Sequence, residues 1–274
     1  MKTLLTLCAL LLGGATAFSA RIETNEVQSA SMHKGVKACV VLPEGYASGG
    51  KRYPVVYMLH GYSGNYQSWV KDFPEMTRLV DLYNVIVVSP DGGFSSWYLD
   101  SPVDKSWCYE TFVSHELVGF IDAKYSTITN RTGRAISGLS MGGHGALYLS
   151  FRHQEVFGAA GSMSGGVDIR PFPNNWNLAE RLGDYAGHKQ NWEDNTVINQ
   201  VHLLRPGSLA VMIDCGTSDF FYGVNKKLHE ELLYRNFQHD YIEREGGHKL
   251  EYWQNALPYH LLFFNRYFQK ANGS

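Results

Sequence analysis

The chain has 274 residues, 44% of them hydrophobic and 18% charged, with a formal net charge of −2. This length and balance suit one large folded domain and exclude a disordered or low-complexity chain. The near-neutral charge and the lack of a Lys/Arg run exclude a general binder of nucleic acid or lipid headgroups.

In chain order, Lys2, the apolar run of residues 4–12 and Ala15-Thr16-Ala17 form a secretory-signal pattern. Residues 1–17 are therefore expected to be cleaved off, leaving 18–274 as a single domain that is secreted or periplasmic. The run is too short to cross a bilayer and no later stretch is long enough, so stable membrane insertion is not expected. Beyond the signal stand Cys39, Cys108 and Cys215, which cannot all pair and form no CxxC. Cys39 and Cys215 lie in strand-like runs and read as small buried hydrophobes.

After a polar segment, residues 36–42 read as a strand closed by a Ser48-Gly49-Gly50 turn. Residues 55–59 and 85–90 are continuous apolar runs, the mark of strands buried on both faces. A helix is expected over 66–83 and another over 110–125, the latter with Phe112, Leu117, Phe120 and Ile121 inward. Further strands are expected at 135–136, 157–163, 209–214 and 241–243, and helices at 146–151, 223–237 and 250 to about 268. Strand and helix alternate, which predicts an α/β fold: a mainly parallel central sheet with helices on both faces. Two stretches, 92–109 and 165–202, break the alternation at the carboxyl ends of strands, where parallel sheets carry their sites. Both are rich in aromatics, most of which are expected to pack the loops onto the body, with a minority lining a pocket.

Gly138-Leu139-Ser140-Met141-Gly142 has the pattern of a nucleophile elbow, a strained strand-to-helix turn whose close neighbours must be small. Such a turn lifts the Ser140 hydroxyl clear of the sheet and aims the Met141 N–H at a developing oxyanion. A serine nucleophile needs a base oriented by an acid, in the order Ser, acid, His along such a chain. His248, in Gly246-Gly247-His248 between the last strand and the terminal helix, fits the base. His260 lies within that helix and His239 at the wrong end of the strand. Asp219, presented beyond residues 209–213 by a Cys215-Gly216-Thr217-Ser218 loop, is preferred as the acid, with Asp214 and Asp168 as alternatives. The second oxyanion donor is expected from Tyr62 N–H in His60-Gly61-Tyr62, with Gly61 as the alternative. The chain has no HExxH and its 11 histidines are scattered, which gives no metal site.

The segments Leu59-His60-Gly61-Tyr62-Ser63-Gly64, Gly138-Leu139-Ser140-Met141-Gly142-Gly143, Asp214-Cys215-Gly216-Thr217-Ser218-Asp219-Phe220 and Gly246-Gly247-His248 stand in one order. In this the chain resembles the esterase D branch of the α/β-hydrolases, from about residue 36 to 268. That branch holds tributyrin esterase, S-formylglutathione hydrolase, and the feruloyl and acetylxylan esterases of carbohydrate esterase family 1. Trp97-Tyr98-x-Asp100 and Glu251-Tyr252-Trp253 share in the resemblance; Ser218 departs from it, where a larger polar residue is expected. The resemblance implies the triad Ser140, Asp219 and His248, no cofactor, and no large lid domain.

The expected function is a serine carboxylesterase acting on short acyl or aryl esters, such as the acetyl or feruloyl esters of plant polysaccharides. Its partner would be a small ester or an esterified carbohydrate, not nucleic acid; homo-oligomerisation is left open. Trp97 and Phe220 are expected to limit the acyl side of the pocket. Two other functions use the same chemistry: acyl transfer of the mycolyltransferase type, and thioester hydrolysis of the S-formylglutathione hydrolase type. The expected export disfavours the second of these.

Overall fold

The computed structural model describes residues 20–47 and 50–273. The signal pattern of residues 1–17, and Ser48-Gly49 of the expected turn, lie outside the described residues. Eight strands form one sheet: β1 (Arg21–Ser29), β2 (Lys34–Leu42), β3 (Val55–Leu59), β4 (Ile86–Pro90), β5 (Arg134–Gly138), β6 (Ala159–Met163), β7 (Ala210–Gly216) and β8 (Asp240–Arg244). Their order is β1-β2-β4-β3-β5-β6-β7-β8. The first two pairings are antiparallel and every later one is parallel, with Leu59 beside Gly138 and Met163 beside Asp214.

The helices are α1 (Ser68–Lys71), α2 (Met76–Tyr83), α3 (Tyr109–Thr111), α4 (Val118–Lys124), α5 (Met141–Arg152), α6 (Leu178–Leu182), α7 (Lys189–Asp194), α8 (Tyr222–Tyr234) and α9 (Leu250–Asn272). Strand residues divide between two apolar layers. Tyr57, Leu59 and Ile136 pack with Leu147 of α5, Ile121 of α4 and Leu228 of α8 on one face. Val56, Met58 and Ala135 pack with Leu79 of α2 and Leu257, Leu261 and Phe264 of α9 on the other. Each fully buried aliphatic side chain contributes about 1.5–3 kcal/mol of transfer free energy, so both layers are needed to hold the sheet. Among the described residues, no helix is long and apolar enough to cross a membrane.

Three elements differ from the sequence-based expectation. The polar segment before residue 36 contains β1, whose inward positions include Asn25 and Ser29. These are buried by hydrogen bonding instead of by apolarity: Asn25 Nδ2 donates to Tyr125 Oη at 2.9 Å, and Ser29 Oγ to Glu116 at 2.6 Å. The helix expected over 66–83 is split at Asp72-Phe73-Pro74, since proline disfavours a helical residue before it. Between α3 and α4, residues Phe112–Leu117 form a π-helical turn. The extra residue rotates the face, so Val113 and Val118 join Phe112, Leu117 and Ile121 inside while Phe120 is left half-buried.

Candidate active site

Four loops meet at the carboxyl edge of the sheet, following β3, β5, β7 and β8. At the end of β5 the chain turns straight into α5, and the turning residue, Ser140, has φ 56° and ψ −117°. That positive φ for a non-glycine residue is local strain, and its surroundings enforce it. A Cβ on Gly138 would lie 2.4 Å from the carbonyl of Gly142, and one on Gly142 would lie 2.2 Å from the carbonyl oxygen of Leu59. Only bare backbone fits on either side of the serine. The expected elbow geometry is present.

Around Ser140 the structure brings together the residues that the sequence singles out. His248 Nε2 lies 2.9 Å from Ser140 Oγ. His248 Nδ1 lies 2.9 Å from Asp219 Oδ2 and 3.1 Å from Oδ1. A carboxylate can only accept, so the Asp219 side places the imidazole proton on Nδ1 and leaves the Nε2 lone pair facing the serine hydroxyl. The Asp219 side chain has no exposed surface, and its Oδ1 also accepts the Phe221 N–H at 2.8 Å, which fixes the carboxylate plane. Ser218, the departure noted above, donates its N–H to the Gly246 carbonyl at 2.9 Å. That backbone bond ties the loop carrying Asp219 to the loop carrying His248, while the Ser218 side chain is exposed.

The alternatives are occupied elsewhere. Asp214, fully buried at the end of β7, is paired with Arg244 and with the Tyr252 hydroxyl. Asp168 is held by Arg170 through two contacts of 2.8 Å. His260 is buried in α9 against Ser137 Oγ at 3.0 Å, and burial pushes its pKa down to about 4. His239 bonds His229 at 2.7 Å beside the start of β8, at the opposite end of that strand from His248.

Met141 opens α5, and the Tyr62 loop lies over the serine: a Cβ on Gly61 would stand 3.5 Å from Ser140 Cβ. Among the described residues, the N–H groups of Met141, Tyr62 and Gly61 have no protein acceptor. A helix N-terminus and a tight glycine loop are apt places for free donors that face a developing anion.

The cleft over Ser140 has a volume of about 440 Å³ and is walled by Tyr62, Phe73, Trp176, Phe220, Leu250 and Trp253 among others. Phe220 is 51% exposed and its ring centroid stands 4.2 Å from that of His248. Trp176 stacks on Phe220 at 5.6 Å, and Trp253 meets His248 edge-on at 4.8 Å. Trp97, expected beside Phe220, is instead 1% exposed, behind the wall. Its Nε1 donates to the Trp176 carbonyl at 3.2 Å, so it supports the wall residue without facing the cleft. Of the cleft aromatics that the sequence does not single out for the pocket, Trp176 and Trp253 lie nearest the relay, through Phe220 and His248. Trp253, one helical turn into α9 after His248, was the more findable of the two.

Comparison with known proteins gives the family. The Esterase family model, described as "Putative esterase", matches residues 29–264. The chain belongs to the esterase family. An acetyl esterase of Caldicellulosiruptor saccharolyticus is 29% identical over 217 residues, 74% of this chain and 79% of that protein. An esterase of Mycobacterium tuberculosis strain H37Rv is 36% identical over 136 residues, 48% of this chain; the match spans only 29% of that longer protein. Among solved structures, a ferulic acid esterase superposes with a TM-score of 0.80 at 28% identity, covering 92% of this esterase-family chain and 99% of its own. The mostly parallel eight-stranded sheet with helices around it is thus an α/β-hydrolase fold, shared with the ferulic acid esterase.

Proposed function

We propose that the chain is an exported serine carboxylesterase that hydrolyses short acyl or aryl esters, including acetyl or feruloyl esters on plant polysaccharides. The observation that carries this reading is the relay Ser140–His248–Asp219, with both of its hydrogen bonds at 2.9 Å. The esterase family match and the likeness to acetyl and ferulic acid esterases support it. Export rests on the sequence pattern of residues 1–17.

In this mechanism Ser140 Oγ attacks the ester carbonyl carbon while His248 Nε2 takes the hydroxyl proton. Asp219 holds the Nδ1–H tautomer and stabilises the imidazolium that forms. The carbonyl oxygen, now negative, accepts from the N–H groups of Met141 and Tyr62. Collapse of the tetrahedral species breaks the C–O bond to the alcohol portion, which receives the proton from His248 and departs. Water then attacks the acyl-Ser140 ester by the same route and releases the acid. The serine proton that leaves with the alcohol is replaced on Ser140 by one from water, so His248 and Ser140 end in their starting protonation states, and the scheme calls for no cofactor.

A second reading is acyl transfer, in which a sugar hydroxyl replaces water in the last step. It is favoured by 29% identity over 214 residues to the diacylglycerol acyltransferase/mycolyltransferase Ag85A of Mycobacterium tuberculosis strain H37Rv, 71% of this chain and 61% of that protein. A panel of p-nitrophenyl acetate, butyrate and octanoate, methyl ferulate and acetylated xylan, run with and without trehalose, separates the two. The proposal expects free acid as the product in both conditions; an acyl-trehalose product would replace it with the transferase reading.

A further inference from the structure

Beside the relay stands an imidazole that the mechanism above does not use. His60 follows β3 directly and is 1% exposed. Its two ring nitrogens have different partners. Nε2 lies 2.7 Å from the Gly92 nitrogen, and a backbone N–H can only donate, so Nε2 must be the acceptor. The remaining proton is then on Nδ1, which lies 2.7 Å from the Gly61 carbonyl oxygen and donates to it. Burial pushes the His60 pKa down, consistent with a neutral ring in this one tautomer.

The Gly61 carbonyl belongs to the same peptide unit as the Tyr62 N–H. A trans peptide is planar and its N–H points opposite to its C=O. Whatever holds the carbonyl therefore aims the N–H. The carbonyl is held on its own side by two donors, His60 Nδ1–H and the Gly64 N–H at 3.0 Å. The segment is also tied to the loop of residues 92–98: Ser63 N–H donates to Phe94 O at 2.9 Å, and Tyr98 Oη donates to His60 O at 3.0 Å. Gly61 packs on Leu139 and Ser140, so this peptide plane lies over the nucleophile.

We propose that His60 is a positioning residue, a neutral Nδ1–H clamp that fixes the plane of the Gly61–Tyr62 peptide and so aims the Tyr62 N–H at the oxyanion. This rests on the serine-esterase reading and adds to it the group that preorganises the second donor. Preorganised donors act because they need no reorientation when charge develops. A packing role and a clamp role predict different behaviour from two substitutions of similar size. In His60→Asn the side-chain amide N–H reaches about where Nδ1 was and can still hold the Gly61 carbonyl, while the Gly92 contact is lost. In His60→Gln the side-chain carbonyl reaches about where Nε2 was, keeping Gly92 and losing the clamp.

The test compares both variants with wild type on p-nitrophenyl acetate, together with end-point labelling of Ser140 by a fluorophosphonate and thermal unfolding. His60→Gln is expected to lose roughly 10²–10³-fold in kcat with KM little changed, the size of a lost oxyanion donor. His60→Asn is expected to keep kcat within about tenfold of wild type, since it keeps that donor in place. Equal losses in the two variants, or near-normal turnover in His60→Gln, would overturn the clamp. A wild-type protein not labelled at Ser140 would instead overturn the serine-esterase reading. Should neither variant fold, nitrogen-15 spectra of histidine-labelled wild-type protein decide: an Nδ1–H tautomer at His60 is expected, and an Nε2–H tautomer overturns the proposal.

Discussion

Gly216 and Gly246 meet backbone to backbone, so closely that a Cβ on Gly216 would stand 2.3 Å from the Gly246 carbonyl oxygen. The first lies at the end of β7, three residues before Asp219; the second lies two residues before His248. Their contact sets the separation of the acid and the base. Gly216→Ala must push the two loops apart, and a displacement of about 1 Å at a catalytic group can cost on the order of 10²-fold in rate. The expected result is a kcat reduced by about that factor with KM nearly unchanged, measured on p-nitrophenyl acetate. Wild-type turnover in Gly216→Ala would mean that the loops are positioned by something else.

The two aspartates near the end of β7 have different jobs. Asp219→Asn should lower kcat by on the order of 10²–10⁴, because the amide can force the wrong imidazole tautomer. Asp214→Asn should leave most turnover intact but destabilise the fold. It weakens the Asp214–Arg244 pair, in which the aspartate side chain is fully buried and the arginine side chain 20% exposed. Losing one partner of a buried pair costs on the order of 3 kcal/mol. Turnover and urea midpoint, measured on both variants, should therefore move in opposite proportions. A catalytic collapse in Asp214→Asn without loss of stability would reverse the assignment.

How far the sequence carries depends on what each residue type must satisfy. Ser140, Asp219 and His248 could be picked out because strand ends and glycine turns leave local marks, and the structure brings the three together. β1 could not, because its buried Asn25 and Ser29 are satisfied by hydrogen bonds from elsewhere in the chain, which no local pattern of apolarity records. As a loop aromatic near a strand end, Trp97 reads in the sequence as a cleft residue, yet it is 1% exposed. Composition does not say which side of a wall a ring occupies, and its positive φ of 53° turns it inward, beside His144 at 5.3 Å. The π-helical turn at Phe112–Leu117 likewise has no signature in hydrophobic spacing until the shifted face is seen.

Stability should fall with acid through a defined window. Burial lowers the pKa values of both His144 and His260 from the ordinary imidazole value of 6.5 to about 4. The unfolded chain therefore binds protons at these sites between pH 6.5 and 4 that the folded chain does not. Their contribution is fully present above pH 6.5 and is lost as pH falls through that range. Glu110 adds a lower window: burial raises its pKa, but hydrogen bonds from His153, Arg152 and Tyr148 outweigh this and hold it at about 2. Its contribution is lost below about pH 4.5. Urea midpoints should decline steadily from pH 7 to 4, and more shallowly in His260→Gln than in wild type. A midpoint that rises on acidification would contradict the neutral buried histidines.

Acyl length should be limited by the aromatic wall. Trp176 and Phe220 stack at 5.6 Å in the cleft that Leu250 and Trp253 also line. A longer chain gains up to about 0.8 kcal/mol per methylene only while there is a wall to bury it against. kcat/KM should peak between acetate and butyrate and fall by octanoate, and Phe220→Ala should flatten the profile by removing part of the wall. A value still rising at octanoate would point to a deep acyl tunnel and a lipid-directed enzyme.

The central claim is that Ser140 is the nucleophile, and its most direct test is the site of covalent modification. After reaction with phenylmethylsulfonyl fluoride, peptide mass spectrometry should find the adduct on Ser140 alone. The Ser140→Ala protein should take no label, stay folded and lose roughly 10³-fold or more in kcat. Labelling at another residue, or near-normal turnover in Ser140→Ala, would contradict the account.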